Sequence, residues 1–339
     1  MTAASAAPLQ RPDPNLKLES VRTLVASELD EVNRLIVERM ASDVALIPEL
    51  ARHIVAAGGK RVRPILTLLA SRLCGYEGQR QYGLAACIEF IHTATLLHDD
   101  VVDDSDLRRG GSTANAVWGN KAPVLVGDFL FSRAFQLMVA DGNLRILEIL
   151  STASAVIAEG EVAQLITAND ISTTEDAYLN VICAKTAALF KAAAQIGAVV
   201  AGREGSAEDA MAAYGLNIGI AFQLVDDALD YSAAQAELGK TIGDDFREGK
   251  LTLPVIVAIA KADEEELKFW RRTLEDLEQE PDDLLRAQEL LSRHRGIETT
   301  IERAEAYGDA ARKALAGFPH SRARSAMLDL VDFCIERAY

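Results

Sequence analysis

Apolar residues recur three and four positions apart through nearly the whole chain, in the company of Ala, Leu and Glu, while alternating Val, Ile and Thr runs are scarce. That period in good helix formers predicts helix almost everywhere, and hence an all-α fold. Helices are expected at about 17–43, 44–57, 62–75, 81–104, 122–140, 143–167, 174–201, 206–232 and 251–262, with three or four more after 264. No repeat of roughly 20 to 50 residues is visible, which disfavours a solenoid. Two stretches, 81–98 and 211–225, are apolar around most of a helical circumference, and such helices belong at the centre of a large bundle. The expected organisation is a loose tail over 1–16 and one helical domain over 17–339, built around a central apolar cavity.

Composition narrows the class. The chain has 339 residues, 49% apolar and 25% charged, with 9 prolines and 22 glycines. Disorder, collagen and a disulfide scaffold are excluded. Lys plus Arg total 35 against 51 Asp plus Glu, a net charge of −16, so a general nucleic-acid surface is not expected. Cys74, Cys87, Cys183 and Cys334 lie far apart without a Cys-x-x-Cys. They read as buried small apolar residues in a reducing compartment. Met1–Pro14 lacks the parts of a signal peptide. The uncharged run Met211–Val225 has fifteen residues, short of the roughly 18 a span needs. No transmembrane segment and a cytoplasmic location are therefore expected.

The ends of the two apolar helices are acidic. Leu97-His98-Asp99-Asp100-Val101-Val102-Asp103 places Asp99 and Asp103 four apart, on one helical face. Like charges at that spacing repel by a few tenths of a kcal/mol, and a cation between them is the natural compensation. Hard oxygen ligands with few dedicated groups point to Mg²⁺, which keeps waters and also binds phosphate. A single such cluster reads most simply as a solvated helix end. Phe222-Gln223-Leu224-Val225-Asp226-Asp227-Ala228-Leu229-Asp230 repeats the arrangement at the end of the second apolar helix. Two clusters facing across one cavity would form a bundle-core metal site. Neither has the alternation of a calcium loop.

Cations gather locally in this acidic chain. Gly58-Gly59-Lys60-Arg61-Val62-Arg63-Pro64 and Arg108-Arg109-Gly110-Gly111 suit phosphate, as do Lys185-Thr186, Lys240-Thr241 and Lys250. Taken singly, most such groups are solvated surface cations. Gly239-Lys240-Thr241 ends like a P-loop, but Ala234 stands where the first glycine belongs, so a nucleotide loop is rejected. His92, seven residues before Asp99, lies on the same face two turns away. It is suited to an anion beside the metal, although a satisfied core histidine fits nearly as well. His98 points elsewhere and reads as structural. Facing carboxylates, cations for two anions and an apolar interior together suggest a diphosphate substrate with a hydrocarbon tail.

The motif order adds to this. Gly-Gly-Lys-x-x-Arg-Pro, Glu89-Phe90-Ile91-His92, Asp99-Asp100-x-x-Asp103, Arg108-Arg109-Gly110, Val126-Gly127-Asp128, Gly160-Glu161, Lys185-Thr186, Phe222-Gln223-x-x-Asp226-Asp227-x-x-Asp230 and Gly239-Lys240 follow one another along residues 20–339. This resembles the trans-isoprenyl diphosphate synthases, and Phe90–His98 resembles the long-chain bacterial members that make octaprenyl to decaprenyl diphosphate for quinone side chains. The resemblance implies an isoprenoid-synthase bundle and a homodimer. It also implies three Mg²⁺ per active site, with Asp99, Asp103 and Asp226 as ligands and Asp100, Asp227 and Asp230 in support. By the same resemblance Arg108, Lys185 and Lys240 hold the allylic diphosphate, with Lys250 nearby. Lys60, Arg63, His92 and Arg109 hold isopentenyl diphosphate, and Thr186, Phe222 and Gln223 border the reacting carbons.

The chemistry then follows from charge. Cations stabilise a departing diphosphate, an allylic cation forms away from water, and the isopentenyl double bond attacks it. No side chain is an obvious strong base, and a diphosphate oxygen suffices for the final proton. Ala94 and Thr95, one turn deeper than Asp99, are small enough to let a chain grow past them; Ala94 equally suits close helix packing. Shorter-chain synthases, a terpene cyclase and a non-catalytic subunit of a heteromeric synthase are the competing readings. A cyclase generally lacks a second anion site, and a non-catalytic subunit has no need of both acidic clusters.

Overall fold

The computed structural model describes residues 14–56, 59–108, 111–232 and 242–337. Its helices are α1 (Pro14–Leu24), α2 (Ala26–Arg39), α3 (Leu46–Ala56), α4 (Val62–Leu73), α5 (Arg80–Val102), α6 (Ala114–Trp118), α7 (Lys121–Asp141) and α8 (Leu144–Thr167). Next come α9 (Glu175–Ile182), α10 (Ala188–Val200), α11 (Ser206–Asp230), α12 (Asp244–Arg247) and α13 (Leu253–Ile259). The chain continues with α14 (Glu264–Trp270), α15 (Asp283–Arg293), α16 (Gly296–Ala314) and α17 (Arg322–Glu336). The two short strands Leu107–Arg108 and Gly111–Ser112 pair antiparallel, and the fold is otherwise helical among the described residues.

Side-chain caps fix several helix starts. The Asn143 side chain accepts from the Arg145 and Ile146 amides, Thr174 accepts from Ala177, and Asp263 forms a capping box with Glu266. Such caps satisfy amides that the first turn leaves without partners.

The expected helix over 17–43 is two, because the chain turns at Val25 between α1 and α2. The expected helix over 174–201 runs through a single π-helical turn, Cys183–Ala187, between α9 and α10. The strand pair and the short α6 and α12 carry too few residues to show a period.

α5 packs against α4, α7 and α2, and α10 lies between α4, α8 and α11, while α11 packs on α16. The stretches expected at the centre are there: Leu84, Ile88, Phe90 and Ile91 of α5 and Met211, Tyr214, Ile218 and Leu224 of α11 are buried. Glycines permit the closest approach. A Cβ at Gly219 would stand 2.8 Å from Ala187 Cα, and one at Gly215 2.4 Å from the Phe190 carbonyl oxygen, so α11 lies backbone to backbone on the π turn and α10. Of the cysteines, Cys74, Cys87 and Cys334 are buried as expected. Cys183 is only half-buried, because the π turn carries it to the edge of the core.

Two helical runs, Lys121–Asp141 and Glu175–Val200, are long and apolar enough to cross a membrane by length and composition alone, a feature the run at 211–225 did not reveal. Their apolar windows are 44% and 61% buried within the protein, as core helices of a bundle require.

Candidate active site

α5 and α11 end in acid at one cavity of about 400 Å³. Asp103, from the first cluster, and Asp227, from the second, both line it, with Glu161, Lys185, Thr186, Gln223, Asp245 and Lys250. Val102, Leu165, Val181, Ile182 and Leu251 supply apolar walls. The convergence that the repeated motif requires is therefore present, and it joins residues more than a hundred positions apart.

On the first wall, Lys185 binds two carboxylates at once, its ammonium 2.7 Å from Glu161 and 3.5 Å from Asp99. Gly160 makes this possible, since a Cβ there would stand 2.7 Å from Ala184 Cβ and 3.1 Å from the Lys185 amide nitrogen. Burial raises the pKa of Glu161, and neighbouring Asp99 raises it further against the opposing effect of Lys185. The ammonium of Lys250 lies 3.1 Å from Asp103 and also pairs with Glu248. Burial opposes that positive charge, but Asp245, Asp103 and Glu248 outweigh it and raise the lysine pKa. Asp100 turns into the protein, where Arg108 donates to it at 2.5 Å. Its pKa is raised by burial, with Arg108 acting the other way.

In the second cluster, Asp226 is set back from the cavity lining and pairs with Arg337 at 2.9 Å. That guanidinium also stacks on Phe222 at 4.1 Å and donates to the Phe222 carbonyl at 3.0 Å. Both oxygens of Asp227 are engaged: Gln223 donates to one at 2.7 Å and the buried Tyr178 hydroxyl to the other. Thr186 in turn donates to Gln223 at 2.9 Å. Burial pushes the Asp227 pKa up to about 7, against these two hydrogen bonds and with Asp226 and Asp230 adding to the rise. Asp230 is buried and accepts the Asp245 amide at 3.0 Å. Asp245 is itself raised well above the usual carboxylate range by burial and by Asp230 and Asp227.

The remaining basic group gathers on α4 and α5. Arg63 donates to His92 Nε2 at 3.0 Å and stacks over Phe190 at 4.4 Å. Because arginine has no acceptor, this contact places the histidine proton on Nδ1. The Lys60 ammonium lies 5.0 Å from the Phe333 ring. His98 is structural as expected, with Nε2 donating to the Val124 carbonyl at 3.2 Å. Ala94 is fully buried in the main core, and Thr95, on the face of Asp99, donates to the His92 carbonyl at 2.8 Å. Arg109 and Lys240 lie outside the described residues.

Glu161, Tyr178, Asp245, Glu248 and Arg337 are functional-site residues that sequence reasoning alone does not assign. Gly160-Glu161 stands in the motif series, and the adjacent acids Asp244-Asp245 are a signal that could have pointed to Asp245. Tyr178 and Arg337 carried no local signal, because their partners are distant in the chain.

Among the described residues no three Asp, Glu, His or Cys side chains already form a closed metal cage. The acids nevertheless fit Mg²⁺ in kind: Asp103, Glu161, Asp227, Asp245 and Glu248 offer carboxylate oxygen on the cavity, with Lys185 and Lys250 among them, while Asp99 lies beside Lys185 and Asp226 on Arg337. Such an ion keeps several waters and needs only one or two protein carboxylates apiece.

A helical bundle with two facing aspartate clusters and a mixed cationic and apolar cavity defines a class of enzyme acting on prenyl diphosphates. The sequence model of the polyprenyl synthetase family matches residues 44–291, and the chain belongs to that family, whose members are prenyltransferases. Within it, the chain is 46% identical over 326 residues to octaprenyl diphosphate synthase of Escherichia coli strain K12, covering 95% of this chain and 99% of that one. A decaprenyl diphosphate synthase structure from Rhodobacter capsulatus superimposes with a TM-score of 0.92 at 53% identity, covering 95% of this chain and 99% of that one. A polyprenyl synthase from Caulobacter crescentus, solved with calcium and isoprenyl diphosphate, gives a TM-score of 0.92 at 51% identity, covering 95% and 98%. The resemblance read from the motifs, and the all-α fold, are thus borne out.

Proposed function

We propose that the enzyme adds isopentenyl diphosphate units to an allylic diphosphate primer, making an all-trans polyprenyl diphosphate of octaprenyl to decaprenyl length for a quinone side chain. The observation that carries the reading is the single cavity shared by Asp103 and Asp227. Asp99, Asp103 and Asp226 are assigned to Mg²⁺, three ions per site. Bound Mg²⁺ would neutralise the charge that develops on the leaving diphosphate. Calcium with an isoprenyl diphosphate in the Caulobacter crescentus structure supports this pairing of ligands.

The protein's own groups then divide the work. Lys185, with Arg108 and Lys240, binds the allylic diphosphate. Lys185 exchanges its present carboxylate partners for phosphate oxygens, and Lys250 adds charge beside Asp103. Lys60, Arg63, His92 and Arg109 bind isopentenyl diphosphate, with the His92 ring held by Arg63. Val102, Val181, Ile182 and Leu251 exclude water from the allylic carbons. Thr186, Phe222 and Gln223 border the reacting atoms, and the last proton leaves to a diphosphate oxygen.

A homodimer is supported by the apolar row Leu125, Phe135 and Val139 along α7, with exposures of 66%, 45% and 68%. Sedimentation of the purified protein checks it. A cytoplasmic location agrees with four cysteines that form no disulfide.

The decisive experiment incubates the purified chain with Mg²⁺, isopentenyl diphosphate and a short allylic primer and separates the products by chromatography. Long-chain products are expected. Cyclic hydrocarbon would point to a terpene cyclase, and absence of turnover by the homomer would point to a non-catalytic subunit.

A further inference from the structure

The carboxylate of Asp227, in the second acidic cluster, is clamped from two helices. Gln223, one turn earlier on α11, donates to one oxygen at 2.7 Å, and Tyr178 of α9 donates its hydroxyl to the other. The Tyr178 ring is buried in a satellite core with Ile182, Leu224 and Leu253, so its position is set by packing rather than by the bond. A second link joins the same two elements, from the Thr186 hydroxyl to Gln223 at 2.9 Å. Tyr178, Asp227, Gln223 and Thr186 therefore make two rungs of a ladder closed along α11.

Both ladder residues on the other side, Tyr178 and Thr186, are eight positions apart on one continuous helical run. In a regular α-helix eight residues overshoot two turns by about 80°, which would point the two side chains in different directions. The π turn Cys183–Ala187 lies between them. A turn closed by i→i+5 bonds rotates the chain less per residue and so works against that overshoot. The close approach of Gly219 to Ala187 presses α11 onto this same turn.

We propose that Tyr178 is a positioning residue of the second metal-binding cluster. Its hydroxyl, brought into line by the π turn, fixes Asp227 and through it the register in which α11 presents Asp226 and Asp230. It thereby ties Thr186, and with it the adjoining diphosphate-binding Lys185, to the metal-binding aspartates as one rigid unit. The proposal rests on the prenyl-transfer reading above.

The test is Tyr178→Phe, which keeps the ring and its packing and removes only the hydroxyl. Calorimetric titration with Mg²⁺ and inorganic pyrophosphate, run below the variant's own melting midpoint, is expected to show binding weakened about fivefold to tenfold, the size of one net hydrogen bond. kcat should fall by a similar factor, with KM for isopentenyl diphosphate unchanged because Arg63 and His92 of its basic group are carried on α4 and α5. In an Asp227→Ala background the same substitution should produce little further loss, since the two act as one unit. Native metal and pyrophosphate binding by a folded Tyr178→Phe protein overturns the proposal, as does full additivity with Asp227→Ala. The wild-type assay runs beside it: no turnover there defeats the prenyl-transfer reading, while an active wild type with an unaltered variant defeats this inference alone.

Discussion

Lys185 shows how a side chain that reads as one more surface cation becomes the centre of a site. Its ammonium keeps Glu161 and Asp99 from repelling each other at 2.7 and 3.5 Å. Lys185→Ala should therefore cost activity twice, by removing a phosphate ligand and by leaving two half-buried carboxylates without their shared cation. A loss of at least about 100-fold in isopentenyl diphosphate incorporation is expected, in the range for deleting a charge-stabilising group. Ala94 and Thr95 offer a different kind of test. Thr95→Phe, at a half-buried position on the face of Asp99, should shorten the product with little change in melting temperature. Ala94→Phe should also shorten it, but at a fully buried site, where overpacking costs roughly 1–3 kcal/mol. Chromatography of the prenyl products and thermal melts separate the two effects, and unchanged chain length in both variants would remove these residues from the tunnel.

Among the elements, α5 and α11 were legible because Asp-Asp-x-x-Asp follows a largely apolar stretch in both, and period and charge pattern are local properties. The π turns were not legible. Cys183–Ala187 and Arg271–Glu275 keep ordinary helix-forming composition, and what widens the turn is packing against a neighbour. The division between α1 and α2 was hidden for a similar reason, since apolar periodicity continues across Val25. The contact between α11 and the first π turn gives a prediction at this scale. Gly219→Val places side-chain atoms where Ala187 Cα lies 2.8 Å from a Cβ, so the helices must separate. The variant should melt at a lower temperature and lose at least about tenfold in kcat, more than the stability loss explains, because Thr186 and Gln223 no longer meet. Melting curves and steady-state kinetics at a temperature where the variant is folded check this.

For the whole molecule, the buried carboxylates set stability and the proposed metal binding against one another in pH. Asp227 is raised to about 7, and Asp100, Asp245 and Glu161 are raised as well, each by burial first. A carboxyl raised above its unfolded value near 4 binds an extra proton in the native state, so its contribution to stability is full below about 4 and is lost as pH rises through the folded value. The metal-free protein should therefore melt higher near pH 6 than near pH 8. Mg²⁺, bound to the ionised carboxylates as proposed above, would release protons and should reverse the trend, with the largest gain in melting temperature at the alkaline end. Melts across that range, with and without Mg²⁺ and pyrophosphate, measure both signs. The amino-acid sequence by itself determined the helical class, the two greasy helices and their acidic ends, because periodicity and motif spacing act over a few residues. Only the tertiary structure decided that Asp103 and Asp227 share a cavity, that Glu161 and Tyr178 line it with them, and that Arg337 pairs with Asp226. Those relations join residues from Asp103 to Arg337, and side chains so far apart meet only when packing brings their helices together.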